Sequence, residues 1–429
     1  MHSLSSTNLF AFTLGRESKL SLAELFSLFG EKAYENHSDE IAIFALPYSD
    51  TEISAIFRNI GGSVRVMRLI GETEEKRFPT DVIREIGKPE GKYVFALGVY
   101  GGEFRLSDIG LRIKKTLKDA GISVRLVNIE NKNIVSAVYK KERLQKSKSE
   151  YNLIHLEGIS YIAVTLACQD IDAYTKRDTG KVRDMEVGMM PPKLCQMMIN
   201  IANEGGRNGI YDPFCGLGTV LIEAANMGTM DILGSDFSSR MVHSAEKSLG
   251  EFIREEKVWQ DRIRAVGGVP SKDFTDFASK VFETDASKLG KATLDETLLT
   301  KFKNSQFHIV SEGYLGEIMQ KDSITLDRVK QERAKLRNMY DGFFGGLCGI
   351  DFSGNIVMTF PFWDIHGTTS FFTEIYDVIG RHGFDIIPLL PSDMRTLMTP
   401  KGTLLYKRPG QNVGREVIKI HKRNTLGKR

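Results

Sequence analysis

A strand that runs straight into a glycine turn, with a helix starting straight out of it, leaves this chain the least freedom in what it can fold into. Tyr211-Asp212-Pro213-Phe214-Cys215-Gly216-Leu217-Gly218-Thr219 begins at the end of the apolar pair Ile210–Tyr211 and leads into the helical run Val220–Asn226. Glycines let the backbone approach a ligand, and the first turn of a helix offers unpaired N–H groups to an anion. Such a turn also serves as a plain structural corner or as a nicotinamide-binding loop. The latter carries a third glycine three residues on, and here Leu221 stands in that place.

The surrounding pattern is α/β. From about residue 187, short apolar runs recur at Ile210–Tyr211, Asp231–Leu233, Ala265–Val266, Phe307–Val310 and Asn355–Phe360, with helical stretches between several of them. That alternation predicts a parallel sheet covered by helices. Phe384–Leu389 and Thr403–Arg408 are expected to pair antiparallel at one edge. Residues 1–60 read as strand, helix, strand, helix, with strands at Leu9–Leu14 and Ile41–Leu46 and a helix capped by Ser18 or Ser21. Gly61-Gly62 marks a boundary, and residues 61–170 read as a second small α/β unit. Its strands are Tyr93–Tyr100, Ser123–Val127 and Tyr161–Cys168, and a basic helix from about Ser107 ends at Gly121. The polar stretch Asp170–Glu186 reads as a linker.

Composition excludes some partners and leaves others open. Across 429 residues, 58 Lys and Arg against 55 Asp and Glu give a net charge of +3, so the chain is no polycation, though a local basic face suffices to meet a phosphate backbone. Cys168, Cys195, Cys215 and Cys348 are scattered without metal-ligand spacing, which predicts no metal site and a reduced, cytoplasmic setting. Met1–Phe10 lacks a basic flank followed by an apolar block, and no apolar run is long enough to span a bilayer.

The form Asp-Pro-Phe-Cys-Gly-x-Gly-Thr resembles the first motif of S-adenosylmethionine-dependent methyltransferases that modify exocyclic amino groups of nucleic-acid bases. Val187-Gly188-Met189-Met190-Pro191-Pro192-Lys193-Leu194 resembles the element that precedes that motif in archaeal and eukaryotic tRNA guanine-N2 methyltransferases. Leu14-Gly15-Arg16-Glu17, Leu20–Leu25, Tyr406-Lys407-Arg408-Pro409 and Val413-Gly414-Arg415-Glu416 fit the same enzymes. Phe95–Gly101, the basic helix and Ser123–Val127 look like a THUMP domain, an RNA-binding module. The resemblance covers most of the chain, in order, and points to THUMP-containing tRNA (guanine-N2)-methyltransferases. It implies a ferredoxin-like α/β domain over 1–60, a THUMP domain over 61–170 and a Rossmann-like class I methyltransferase domain over 171–429.

It also implies residue roles. Asp212, Pro213, Phe214, Gly216, Gly218 and Thr219 would hold the amino-acid end of S-adenosylmethionine. Asp236, about 20 residues past the turn, would accept both ribose hydroxyls. Asp285 would accept from the adenine amino group and the Ala286 N–H would donate to the ring. Where the family's fourth strand ends in Asp-Pro-Pro-Tyr-Gly, this chain has Ser311-Glu312-Gly313-Tyr314-Leu315-Gly316. The change matters because the lone pair of a guanine amino group is delocalised into its ring. An enzyme must hold the amino hydrogens, aim the lone pair at the methyl group and accept a proton. Ser311 is a weak base, Glu312 restores a carboxylate one position along, and Tyr314 keeps the ring that stacks on an extruded base. These three form the expected reaction site.

Charge placement completes the expectation. Between Arg112 and Lys148 stand 11 basic and 3 acidic residues, and between Arg415 and Arg429 there are 6 and 1. Runs of this kind usually mark solvated faces; beside a THUMP-like segment they predict an RNA-phosphate face carried by Arg112, Lys115, Arg125, Lys140, Lys141 and Arg143. The expected partner is tRNA, with a small activating subunit as an accessory that some relatives use, and no membrane. Two other readings share these observations: an RNA-binding or regulatory protein with a degenerate methyltransferase domain, motivated by the altered fourth motif, and a DNA adenine-N6 methyltransferase, permitted by the first motif.

Overall fold

The computed structural model describes residues 7–102, 105–127, 133–179, 190–266, 268–270, 272–317, 319 and 324–423. It divides into two compact units, Met1–Lys176 and Arg177–Arg429.

In the first unit, strands β1 (Asn8–Leu14), β2 (Tyr34–His37), β3 (Ile41–Leu46), β4 (Ser63–Thr73), β5 (Tyr93–Tyr100), β6 (Val124–Leu126), β7 (Glu150–Leu156) and β8 (Ile159–Cys168) form one eight-stranded sheet in the order β2-β3-β1-β4-β8-β7-β5-β6. β4 pairs with β1 on one side and β8 on the other, so the sheet runs through the boundary expected at residue 60. The Gly61-Gly62 turn is pinned within the unit. Its two N–H groups donate to the buried Glu24 carboxylate at 2.8 and 2.7 Å, and a side chain at Gly62 would come within 2.7 Å of Ser21 Cα. The basic helix spans Leu106–Asp119 and buries Leu106, Ile113 and Leu117 while its cations face outward.

The second unit carries β9 (Gly209–Asp212), β10 (Asp231–Asp236), β11 (Ala278–Glu283), β12 (Phe307–Glu312), β13 (Ile356–Ile365), β14 (Thr368–Phe371), β15 (Phe384–Ile387), β16 (Leu404–Tyr406) and β17 (Val413–Lys422). The main order is β11-β10-β9-β12-β13-β17-β15, with β14 on β13 and β16 on β17. β11 to β13 are mutually parallel; β17 runs antiparallel to β13 and β15. This is the Rossmann-like class I methyltransferase topology that the resemblance implies. The chain moves outward from β9 through β10 to β11, then returns to lay β12 against the other side of β9. Ligands bind in the crevice where the order reverses, beyond the carboxyl ends of the strands. The sheet rests on an aromatic core in which Tyr211 stacks on Phe302 at 5.4 Å and Trp363, Tyr340 and Phe307 are fully or almost fully buried.

Some expectations are corrected. Ala265–Val266 is the end of a long helix, Ser239–Ala265, and the strand expected there is β11, an exposed and polar edge strand. The two C-terminal strands do not pair with each other: β15 and β16 each pair with β17. Part of the expected linker is the helix Ile171–Thr179, and its remainder, 180–186, lies outside the described residues, as do 187–189 of the upstream element and the tail from 424. Among the described residues no helix is long and apolar enough to cross a membrane.

Candidate active site

The carboxyl ends of β9, β10 and β12 open into a cavity of about 1050 Å³. The glycine turn forms its floor. Gly216 and Gly218 adopt left-handed conformations (φ +50° and +82°), and Gly218 caps the helix Thr219–Met227. A side chain at Gly218 would also press on Ala245 at 3.2 Å, so this glycine sets helix packing and does not itself line the cavity. Asp212, Pro213, Phe214, Gly216, Thr219, Asp236, Asp285, Ala286, Glu312 and Tyr314 all line it. Of the candidate cofactor and reaction residues, only Gly218 and Ser311 stand behind the wall.

Each carboxylate has a distinct environment. Asp236 accepts the Gly216 N–H through Oδ2 and the Ser238 N–H through Oδ1, both at 3.0 Å, and so ties the end of β10 to the turn. Phe237 beside it is 77% exposed on the cavity rim and offers a flat apolar face, a feature missed in the sequence. Asp285 accepts from the Ser287 N–H at 3.0 Å and the Ser287 hydroxyl at 2.7 Å; these bonds hold its carboxyl below the usual range. Asp212 is buried and accepts the Phe214 N–H at 3.1 Å and the Ser311 hydroxyl at 2.5 Å. Burial outweighs those bonds and pushes its carboxyl up to about 7.

The segment Ser311–Gly316 is built around Glu312. Its carboxylate is paired with the Arg415 guanidinium from β17, which also donates to Gln411 Oε1 at 3.3 Å. Arg415 is 5% exposed, although its place in the sequence is a basic tail. Burial pushes the Glu312 carboxyl up while Arg415 pulls against it. Gly313 fits because a side chain there would meet the Tyr340 hydroxyl at 2.3 Å and the Thr359 carbonyl oxygen at 2.8 Å. Tyr340 donates to the Tyr314 carbonyl oxygen at 3.0 Å, fixing the backbone that carries the half-exposed Tyr314 ring. His308 is a strand residue, accepting the Asn355 N–H at Nδ1 and held near 4 by burial.

The arrangement fits a sulfonium cofactor with an amino-acid end and a nucleoside end. A helix N-terminus and open backbone could hold the first, and two carboxylates and an exposed ring could hold the second. Met190, 4% exposed, closes one side.

Residues 180–267 match the family described as RMKL-like, methyltransferase domain. The match is to a methyltransferase domain. Two curated relatives carry the name tRNA (guanine(10)-N2)-dimethyltransferase. One, from Methanothermobacter thermautotrophicus, is 29% identical over 36% of this chain and 45% of its own length; the other, from Methanocaldococcus jannaschii, is 28% identical over 41% and 46%. The chain thus spans about half the length of the curated relatives it matches. Among solved structures, TrmN from Thermus thermophilus aligns over 97% of this chain and 99% of its own at 14% identity, with a TM-score of 0.46.

In the first unit, the six candidate RNA residues differ in what they touch. Arg112, Lys115, Lys141 and Arg143 are exposed. Arg125 is paired with Glu142, and Lys140 with Asp170 and Asp172 at 2.9 and 2.8 Å. In the C-terminal cluster, Arg415, Lys419, Lys422 and Arg423 are ion-paired with Glu312, Glu204, Asp351 and Asp385. That part of the cluster belongs to sheet packing.

Proposed function

We propose that this chain transfers a methyl group from S-adenosylmethionine to an exocyclic amino group of a tRNA base, guanine N2 by preference. The observation that carries the reading is the Glu312 carboxylate, fixed by buried Arg415 and lining the same cavity as the Gly216 turn, Asp236 and Tyr314. When bound, the cofactor supplies an electrophilic methyl group on a sulfonium. Asp236 would hold the ribose, Phe237 and Asp285 the adenine, and the helix N-terminus at Thr219 the carboxylate. The Tyr314 ring stacks on the extruded base, and Glu312 accepts the amino hydrogens, aims the lone pair and takes the proton as transfer ends.

The first unit grips the RNA, with residues 61–170 as its THUMP-like part and the outward cations of Leu106–Asp119 as its phosphate face. The setting that follows is the cytoplasm. The accessory element is a small activating subunit; methyl transfer by the purified chain alone removes it. The deciding experiment incubates the full chain with unmodified tRNA and labelled cofactor, followed by nucleoside mass spectrometry. N2-methylated guanosine is expected. Tight tRNA binding without transfer at saturating cofactor, also when cell extract supplies the accessory subunit, makes the chain a degenerate binding protein, and label appearing in DNA adenine and not in tRNA overturns the substrate.

A further inference from the structure

A second cavity of about 580 Å³ adjoins the first, and Gly410, Gln411 and Asn412 border both. Its other walls are Lys407, Arg408 and Pro409 from the segment after β16, Asp364, His366 and Gly367 from the β13–β14 hairpin, and the apolar Ile324. The hairpin turn is tight, with His366 and Gly367 both left-handed (φ +50° and +86°), and the Asp364 carboxylate accepts the Gly367 N–H at 2.8 Å. Both bordering segments meet at the carboxyl end of β13, one strand over from Glu312. The Arg408 guanidinium is held through an Nε donation to the Tyr406 hydroxyl at 3.2 Å, and its charge acts on Glu312. Lys407 is paired with Asp364.

We propose that this second cavity binds a backbone phosphodiester flanking the target nucleotide. The proposal rests on the RNA-methyltransferase reading above. A base extruded onto Tyr314 remains attached to its ribose and two phosphates, which must leave the reaction cavity by an adjoining opening. Here that opening holds two half-buried cations on consecutive residues, one of them an arginine whose planar donors match a phosphate. The Asp364 carboxylate offsets part of that charge and sets the position of Lys407. Neutralising the phosphate beside the transferred base fixes register without reading sequence.

The test measures tRNA binding and single-turnover methyl transfer by the full chain across salt concentrations, for wild type, Lys407→Gln with Arg408→Gln, and Asp364→Asn. Each neutralised phosphate adds roughly one to the slope of log affinity against log salt. The double variant should lose about one from that slope and raise KM for tRNA roughly tenfold, with a smaller change in the rate at saturating tRNA. Asp364→Asn should tighten tRNA binding, an effect of opposite sign that damaged folding does not produce. Wild-type slope and KM in the double variant overturn the proposal. A wild-type chain that binds tRNA with a steep salt slope but transfers nothing, also when cell extract supplies the accessory subunit, overturns the methyltransferase reading instead, and the slope change still tests the cavity.

Discussion

The Ser311 hydroxyl donates a 2.5 Å hydrogen bond to Asp212 Oδ1, joining the ends of two adjacent strands whose residues stand 99 apart in sequence. The bond spans the point where the sheet reverses its order. It engages the Ser311 hydroxyl behind the cavity wall, at the residue from which the glycine turn starts. Ser311 thus keeps β9 and β12 in register while Glu312, the next residue, faces the cavity.

Asp212 should make stability depend on pH in an unusual direction. Its folded carboxyl titrates near 7, above the ordinary value of 3.8, so between those values the folded chain binds a proton the unfolded chain has lost. Stability contributed by this group is present below pH 4 and falls as pH rises to about 7, by at most about 1.4 kcal/mol per pH unit. Asp212→Asn should flatten that slope in denaturant midpoints taken from pH 4 to 8. Ser311→Ala removes a bond that lowers the Asp212 value, so it should extend the decline above pH 7 and cost about 1–3 kcal/mol. An unchanged slope in Asp212→Asn would mean the carboxyl titrates normally.

Glu312 and Arg415 should separate by their pH–rate profiles. Glu312→Gln should cut single-turnover transfer about 10²–10⁴-fold while leaving cofactor binding intact. Transfer needs ionised Glu312, so the rate rises with pH through its titration. Arg415 pulls that titration downward, and Arg415→Gln should move the acid limb to higher pH. The same change removes one partner of a buried pair and should cost about 3–5 kcal/mol in stability. Arg415→Lys should restore part of the limb's position. A limb that stays in place in both variants would reduce Arg415 to a packing role.

The residues whose place at the cavity is legible in the sequence are those set by local spacing. The strand, the Gly216 and Gly218 turn, and Asp236 at the end of the next strand follow from spacing along one stretch of chain. Asp285 is legible even though its strand, β11, is not, because Ala278–Glu283 is a polar, exposed edge strand without apolar alternation. β17 escapes for the opposite reason. Arg415, Glu416 and Lys419 look like a solvated tail, yet they are buried and bonded to partners on other elements, among them Glu312, Tyr376, Thr403 and Glu204. Of the expected pair Ser311 and Glu312, only Glu312 lines the cavity, because the Ser311 hydroxyl turns instead to buried Asp212 on the neighbouring strand, a partner 99 residues away that local spacing does not reveal.

Tyr314 should act through its ring. Tyr314→Phe keeps the stacking face and should transfer at near the wild-type rate. Tyr314→Ala should lose about 1–3 kcal/mol of base stacking, read as a KM for tRNA raised roughly 5- to 150-fold. Equal losses in both variants would shift the role to the hydroxyl.

The outward cations of the first unit should control affinity without touching chemistry. Replacing exposed Arg112, Lys115, Lys141 and Arg143 by Gln should weaken tRNA binding and lower its salt slope by up to about one for each phosphate no longer neutralised. The rate at saturating tRNA should hold. Arg125→Gln and Lys140→Gln should matter less, because Glu142 and the Asp170–Asp172 pair already neutralise those charges. Filter binding across a salt series checks both groups; a larger effect from the paired residues would move the RNA face to their side.

Gly313 should resist gaining any side chain. The space a side chain needs is taken by the Tyr340 hydroxyl and the Thr359 carbonyl, and the same Tyr340 hydroxyl fixes Tyr314 through its carbonyl oxygen. Gly313→Ala forces one of these to move, and should cost about 1–3 kcal/mol and lower transfer by displacing Tyr314. Tyr340→Phe removes the oxygen that a Cβ would meet first. In the double variant the stability loss should therefore shrink below the sum of the single losses, while transfer stays low because Tyr314 has lost its anchor. Chemical denaturation and single-turnover transfer on the four proteins of that cycle decide the matter. Strictly additive losses would show that the backbone at residue 313, and not the Tyr340 hydroxyl, demands glycine.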